Sequence, residues 1–410
     1  MTALIRNRSY RLLFSATAIS NLGDGVSALA LPWLATLITR DPTLIALVAF
    51  ATRLPWFLFA IPAGALVDRG DRRRLIFQAD VIRTALTAGI IALILAIPAF
   101  PPGHSEATFI FALATLAFLL GSAEVISDNS SQTLLPSVVE KQDLETANGQ
   151  LWSVEQVIGS FVGPPLAGVL IALAVPAPFL LDAFTFALAA WLVWAISLPP
   201  RAKPAKRALL TEIGEGWQWM RSHPMVLRVA IILGLLNGAV FMSLTVLVLV
   251  SQEILRLSAF GHGILLTAGA AGGVVGGLLG PRIVARLGAV NSVRLALVIF
   301  PIPYLVIGLT SSSVIVGIAL FFEMLAGLIW NIVTVSWRQR IIPDDILGRV
   351  NSLYRFFGWG LMPFGALIGG LIVSLTEPEF GRQLALRFPY FAASAACVLL
   401  AIFGWRSIRF

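Results

Sequence analysis

The stretch GALVDRGDRRRL, Gly64 to Leu75, places six charged side chains in a hinge between two long apolar runs. One run covers roughly 43–67 and the other roughly 75–97. At about 1.5 Å of rise per residue, each reaches across a hydrocarbon layer of about 30 Å. The hinge is therefore a short loop at a membrane surface, and the chain on both sides of it is helix inside a bilayer.

The rest of the chain agrees. It is 58% hydrophobic and 12% charged, with a mean hydropathy of +0.89. A soluble domain of 410 residues has no use for that balance. The first apolar run starts after Arg6, Arg8 and Arg11 and lacks a small-residue cleavage site, so it reads as a first span and not as a removed leader. The single cysteine, Cys397, excludes an intrachain disulfide.

Twelve spans are predicted, at roughly 11–38, 43–67, 74–97, 107–128, 148–173, 177–198, 226–252, 260–284, 291–310, 313–335, 349–375 and 384–405. With both ends in the cytoplasm, 22 of the 29 lysines and arginines fall on the cytoplasmic side. Four (Arg40, Arg256, Arg382 and Arg387) fall outside, and three (Arg53, Arg83 and Arg355) fall within spans. That asymmetry is the positive-inside rule. The formal charge of +8 thus reports topology and not nucleic-acid binding.

The chain repeats itself. Gln132 and Pro136 recur as Gln339 and Pro343 at a common offset of 207, and Asn148 and Asn351 then open the following spans. A Gly/Pro-rich helix follows each, GSFVGPPLAGVL and GWGLMPFGALIGG. Duplicated six-span halves are the architecture of secondary transporters. The fold class expected is an all-α membrane protein with twelve transmembrane helices in two pseudo-symmetric six-helix bundles, at 1–198 and 225–410. A cytoplasmic linker at 199–224 joins them. In it Leu209, Leu210, Ile213, Trp217 and Met220 share one helical face, which predicts an amphipathic helix on the inner leaflet.

The hinge and the repeat together closely resemble the major facilitator superfamily, whose loop between the second and third helices has this order of residues. Asp68, Arg69 and Arg72 occupy its characteristic places, and Asp71 stands where the family usually has a second glycine. The resemblance implies that Asp68 and Arg72, with Asp128 at the cytoplasmic end of the fourth span, form a latch that holds the outward-open state closed on the inside. Arg69, Arg73 and Arg74 then serve topology and lipid phosphates. In the fifth span Gly159, Gly163, Pro164, Pro165 and Gly168 resemble the antiporter signature of the superfamily's exporters; helix packing alone is the other reading of the same residues. The eighth span's glycines (Gly269, Gly273 and Gly277, with Gly272, Gly276 and Gly280 beside them) read as a packing seam.

Ionisable residues inside apolar spans are costly and mark function or buried pairs. Asp24, Arg53 and Glu323 fall near the midplane of the first, second and tenth spans. Arg83, Glu155, Glu124 and Arg355 lie closer to the cytoplasm, and Asp182 closer to the outer surface. Asp24, in NLGDGVSALALPW, resembles the first-span Asp of the macrolide-efflux and siderophore-export branch and is the first candidate for proton coupling. Glu155 follows, on the stripe Asn148, Trp152, Glu155, Gly159 and Gly163, and then Glu124 and Glu323. The structural alternative for each is an ion pair, such as Asp24 with Arg53 or Glu155 with Arg83. Trp33, Trp56, Trp152, Phe241, Trp330 and Trp359 offer either an aromatic pocket or interfacial anchors.

The fourth span lacks the arginine common in drug/proton antiporters. Enzyme chemistry has no support, since His104, His223 and His262 lie in separate loops and no HExxH, GxGD or Walker pattern occurs. The resemblance to that branch implies a monomeric exporter in a bacterial inner (cell) membrane, in contact with lipid. It would carry an amphipathic, mostly apolar small molecule, with no cofactor and a proton gradient as its drive. An uptake symporter for a small polar solute is the alternative. Substitution Asp68→Asn is expected to slow turnover in everted vesicles by unbalancing the two access states, and an unchanged rate would count against the latch.

Overall fold

The computed structural model describes residues 7–197, 209–343 and 346–408, and among these all regular structure is helical. The first four spans are α1 (Arg8–Ile38), α2 (Pro42–Arg69), α3 (Arg72–Ala96) and α4 (Glu106–Leu134). The fifth is built from α5 (Leu144–Val154), a π-helical segment (Glu155–Val162) and α6 (Gly163–Leu173), and the sixth is α7 (Ala177–Trp194). Helix α8 (Leu209–Ser222) precedes the seventh span, α9 (Pro224–Glu253).

The eighth and ninth spans run through α10 (Ala259–Ile299) into α11 (Pro301–Leu309), with a break at Gly288. Gly288 has φ 76° and ψ 165°, a conformation that side chains disfavour, and it turns the chain back at the membrane surface. The tenth span is α12 (Ser313–Ile341), and the eleventh joins α13 (Leu347–Gly360) to α14 (Met362–Phe380). A short turn, α15 (Arg382–Ala385), leads into the twelfth, α16 (Phe388–Ser407).

Ten helical stretches of the described residues are long and apolar enough to cross a bilayer. One of these, Ala259–Leu309, has 51 residues and contains the Gly288 break, so it crosses twice. Helix α1 adds the twelfth crossing. Its 31 residues span about 46 Å, and its polar face of Ser20, Asp24 and Ser27 explains its lower hydropathy. Large apolar side chains such as Leu95, Leu173 and Leu375 are about three-quarters exposed, as a lipid-facing surface requires.

Local chemistry sets the helix ends. Asp71, in place of the family glycine, is the N-cap of α3, and its carboxylate accepts from the Arg74 N–H at 3.1 Å. In the fifth span Pro164 and Pro165 have no N–H to donate, so the preceding turns widen, and the Gly163 N–H reaches back five residues to the Ile158 carbonyl.

The chain divides into two compact units. One contains Met1–Thr39, Leu58–Lys206 and Ala259–Gly263; the other contains Arg40–Phe57, Arg207–Ser258 and Ile264–Phe410. Each unit thus takes the start of one helix from the opposite half of the sequence. In the first unit α3 packs on α4 and α7, while α1 packs on α6, α7 and the π segment. In the second, α9 packs on α13, α14 and α16, and α11 on α12 and α16.

Glycines let these backbones touch, in matching places of the two units. A methyl group at Gly163 would sit 2.5 Å from the Gly25 carbonyl carbon, and one at Gly365 would sit 2.7 Å from that of Gly238. Further along the same helices, Gly168 lies against Phe260 at the start of α10, and Gly370 against Pro42 at the start of α2. The repeat noticed in the sequence is therefore a repeat of helix contacts: fifth span on first, eleventh on seventh.

Helix α8 docks on α13. Gly216 faces Leu353 and Arg349, Glu215 pairs with Arg349, and Trp217 stacks on Phe357 at 5.9 Å. Met220 is fully buried and Trp217 is exposed, so part of the amphipathic face covers protein. The side chains of Leu209 and Leu210 lie outside the described residues. Among the eighth-span glycines, Gly272 and Gly276 lie against Phe321 and Leu325 of α12, whereas Gly277 faces open space. Substitution Gly163→Ala is therefore expected to cost about 1–3 kcal/mol through overpacking, lowering the melting temperature of the purified protein, while Gly277→Ala leaves it unchanged or raises it.

Candidate functional site: a buried arginine among carboxylates

Four helices of the first unit turn polar stripes towards one another. Ser20, Asp24 and Ser27 lie on one face of α1, Asp80, Arg83 and Thr87 on one face of α3, Glu124, Ser127 and Asp128 along α4, and Asp182 and Phe186 one turn apart on α7. The close approach of α1 to the fifth span at Gly25 and Gly163 places the α1 stripe, since Asp24 is the neighbour of Gly25.

Arg83 is the hub. Its side chain is 1% exposed, pairs with Asp24 through Nη2, and reaches Asp80 at 3.5 Å and the Ser20 hydroxyl at 3.3 Å through Nη1. The guanidinium carbon lies 3.8 Å from the ring centre of Phe186. Asp80 is held in turn by the Ser127 hydroxyl at 3.0 Å. Asp182, 1% exposed, accepts from Ser27 at 2.6 Å, and Gly23 leaves no room for a side chain beside it. Glu124, Asp128 and Asp182 are within electrostatic reach of Arg83. Five carboxylates thus surround one cation.

A lone arginine in this setting would cost several kcal/mol, and the paired carboxylates offset that cost only if their geometry is kept. Arg83 is locked by ring, hydroxyl and carboxylate together. Asp24 is different, because its side chain is 35% exposed while its partner is closed off. It is an accessible member of the network, directly paired to the buried charge.

The other sequence-predicted residues divide around this site. Glu155, on the π segment, is exposed and in electrostatic reach of Asp128, and Trp152 one turn before it is 48% exposed. Glu155 makes no ion pair with Arg83, nor does Asp24 pair with Arg53, because Arg83 takes Asp24 and Asp80. Glu323 lies in the second unit, 7% exposed, accepting from the Tyr304 hydroxyl at 2.7 Å. Of the latch residues, Arg72 donates to the Thr133 carbonyl of α4, Asp128 faces the Arg83 network, and the side chain of Asp68 lies outside the described residues.

Gly163 and Gly168 are packed against backbone, and Gly159 lies near the Asn21 carbonyl. The Pro164 carbonyl abuts Gly263. Among the tryptophans, Trp330 is fully buried, Trp33 packs on His262 at 6.0 Å, and Trp56 meets Trp359 at 5.4 Å. Sequence reasoning missed Asp80. Its signal was the three-residue spacing to Arg83 within one span, the spacing of an intrahelical pair.

A second charged group lies in the second unit, at the end opposite helix α8. Arg382 donates to both oxygens of Glu253 at 2.9 and 3.0 Å, to Glu377 at 2.8 Å, and to the Arg40 carbonyl at 2.8 Å. It thereby ties the start of α2 to the ends of α9 and α14.

A family model described as transmembrane secretion effector matches residues 1–406. The multidrug efflux pump Tap of Mycobacterium bovis is 28% identical over 295 residues, 67% of this chain and 65% of the pump. The match thus spans just under two thirds of that relative's length. The enterobactin exporter EntS of Shigella boydii is 25% identical over 388 residues, 92% of this chain and 88% of the exporter. A bacterial homologue of the iron transporter ferroportin, solved in an inward-facing state, matches with a TM-score of 0.76 at 17% identity over 98% of this chain and 99% of that one; this likeness is one of fold. The chain therefore belongs to the transmembrane secretion effector family, a branch of the major facilitator superfamily of membrane transporters.

Proposed function

We propose that this transporter exports an amphipathic, mostly apolar small molecule from the bacterial cytoplasm in exchange for protons, with both termini on the cytoplasmic side. The observation that carries the reading is the accessible Asp24 joined to the closed-off Arg83. A proton on Asp24 removes the charge that holds Arg83 on that side and leaves the guanidinium with Asp80. Loss of the proton restores the pair. Proton and cargo then compete for one network: an arriving cargo that favours the ionised pair drives the proton off, and a proton arriving from the other side releases the cargo.

Export as the direction rests on the relatives, among them an efflux pump and a siderophore exporter. The Gly163 to Gly168 segment supports it mechanically, because a π-helical turn ahead of two prolines is a place where a span bends at low cost. It touches α1 beside Asp24, so a change at the carboxylate is felt where the fifth span can flex.

The test is accumulation of a panel of amphipathic drugs and dyes in everted vesicles with an acid lumen. Wild type is expected to accumulate at least one in a gradient-dependent manner. Asp24→Asn is expected to abolish that accumulation while expression and melting temperature hold, and Arg83→Gln to abolish it and also destabilise the protein by about 3–5 kcal/mol, since carboxylates are left buried without their cation. Normal gradient-driven accumulation by Asp24→Asn would remove Asp24 from the mechanism.

A further inference from the structure

The second unit contains a cation that the proton network does not use. Arg53 lies midway along the span Pro42–Gly64, where an arginine is costly unless something answers its charge. Among the described residues no carboxylate lies within ion-pair distance of it. The midplane acid of this unit, Glu323, is taken by Tyr304. What Arg53 has is a ring: its guanidinium carbon stands 5.3 Å from the centre of Phe241 on α9. Both side chains are half-buried, so each keeps a face open to a ligand.

Aromatic side chains continue from there. Trp56, one turn along α2, meets Trp359 edge-on at 5.4 Å, and Arg355 lies over the other partner of that pair, 4.5 Å from the Trp359 ring centre. Phe57 stacks on Phe356 at 5.0 Å. The Trp56 indole N–H is buried without an acceptor among the described residues. An arginine without a carboxylate, an indole donor without an acceptor and open aromatic faces ask for one kind of partner: a flat apolar body carrying negative charge. A lipophilic cation would meet Arg53 here and be repelled by it.

We propose that Arg53, with Phe241, Trp56 and Trp359, is the recognition site for the anionic group of an amphipathic aromatic cargo, so that the exported substrates are organic anions such as carboxylates, sulfonates or phenolates on an aromatic frame. This rests on the export reading above and narrows it. Arg53 takes the anionic group of the cargo, and the competition with the proton is still decided at Asp24 and Arg83, so anion recognition adds to the proton network and does not replace it.

The test uses the purified full chain in lipid nanodiscs with two dyes, fluorescein as an aromatic anion and rhodamine 6G as an aromatic cation. Binding is read by fluorescence anisotropy, and transport of the same dyes by accumulation in everted vesicles. Wild type is expected to bind and accumulate fluorescein. Arg53→Gln is expected to weaken fluorescein binding by about tenfold or more, the loss of a charge-assisted contact. Arg53→Lys retains part of the affinity, and Phe241→Leu weakens binding without removing the charge.

No fluorescein binding by wild type, or the same affinity in a folded Arg53→Gln protein, would overturn the proposal. Gradient-driven accumulation of rhodamine 6G but not fluorescein would overturn it and leave export standing. Arg53-dependent fluorescein binding with no gradient-driven movement of either dye would support the anion site and count against export.

Discussion

The first unit depends on a guanidinium that cannot leave. Arg83 is enclosed by α1, α3, α4 and α7, and a cation in that environment is tolerable only while carboxylates, Asp80 among them, answer its charge. Everything near it follows from that demand: hydroxyls of Ser20 and Ser127 fill remaining polar contacts, Phe186 offers its ring face, and Gly23 leaves space for Asp182. Because Asp24 is accessible and its partner is not, the stability of the bundle and the proposed exchange of a proton concern the same pair.

The glycine contacts set that pair in place. The fifth span touches the first through Gly25 and Gly163, and the eleventh touches the seventh through Gly238 and Gly365. One packing solution serves both halves of a duplicated chain, but the two copies have diverged in chemistry. The first surrounds one arginine with carboxylates; the second sets Arg53 and Arg355 against aromatic rings, with Glu323 bound to a tyrosine. Duplication supplied the scaffold, and charge was then distributed unequally over it.

Hydropathy made the spans legible, because a bilayer demands about 20 apolar residues per crossing and each of the runs supplies them. It gave depth along the membrane normal but not rotation about a helix axis. Asp24 and Arg83 were therefore found one by one, while the partner of Asp24 was sought in Arg53 at equal depth and lies instead on the third span. Asp80 stayed hidden in the polar start of its span.

The stripe from Asn148 to Gly163 is not one uniform face of a regular helix. The π-helical segment slips the helical phase within it, so Trp152 and Glu155 are exposed while Gly163 is buried against α1. Two prolines announced a bend in the sequence; the extra residue in the turn could not be read from them.

The account stands on competition between a proton and a cargo for the network at Asp24. Its most direct test is the pH change of a lightly buffered detergent solution of the purified protein on addition of a transported dye. Binding is predicted to release a proton from wild type and none from Asp24→Asn. Binding without proton release in wild type, or undiminished release from Asp24→Asn, would contradict it.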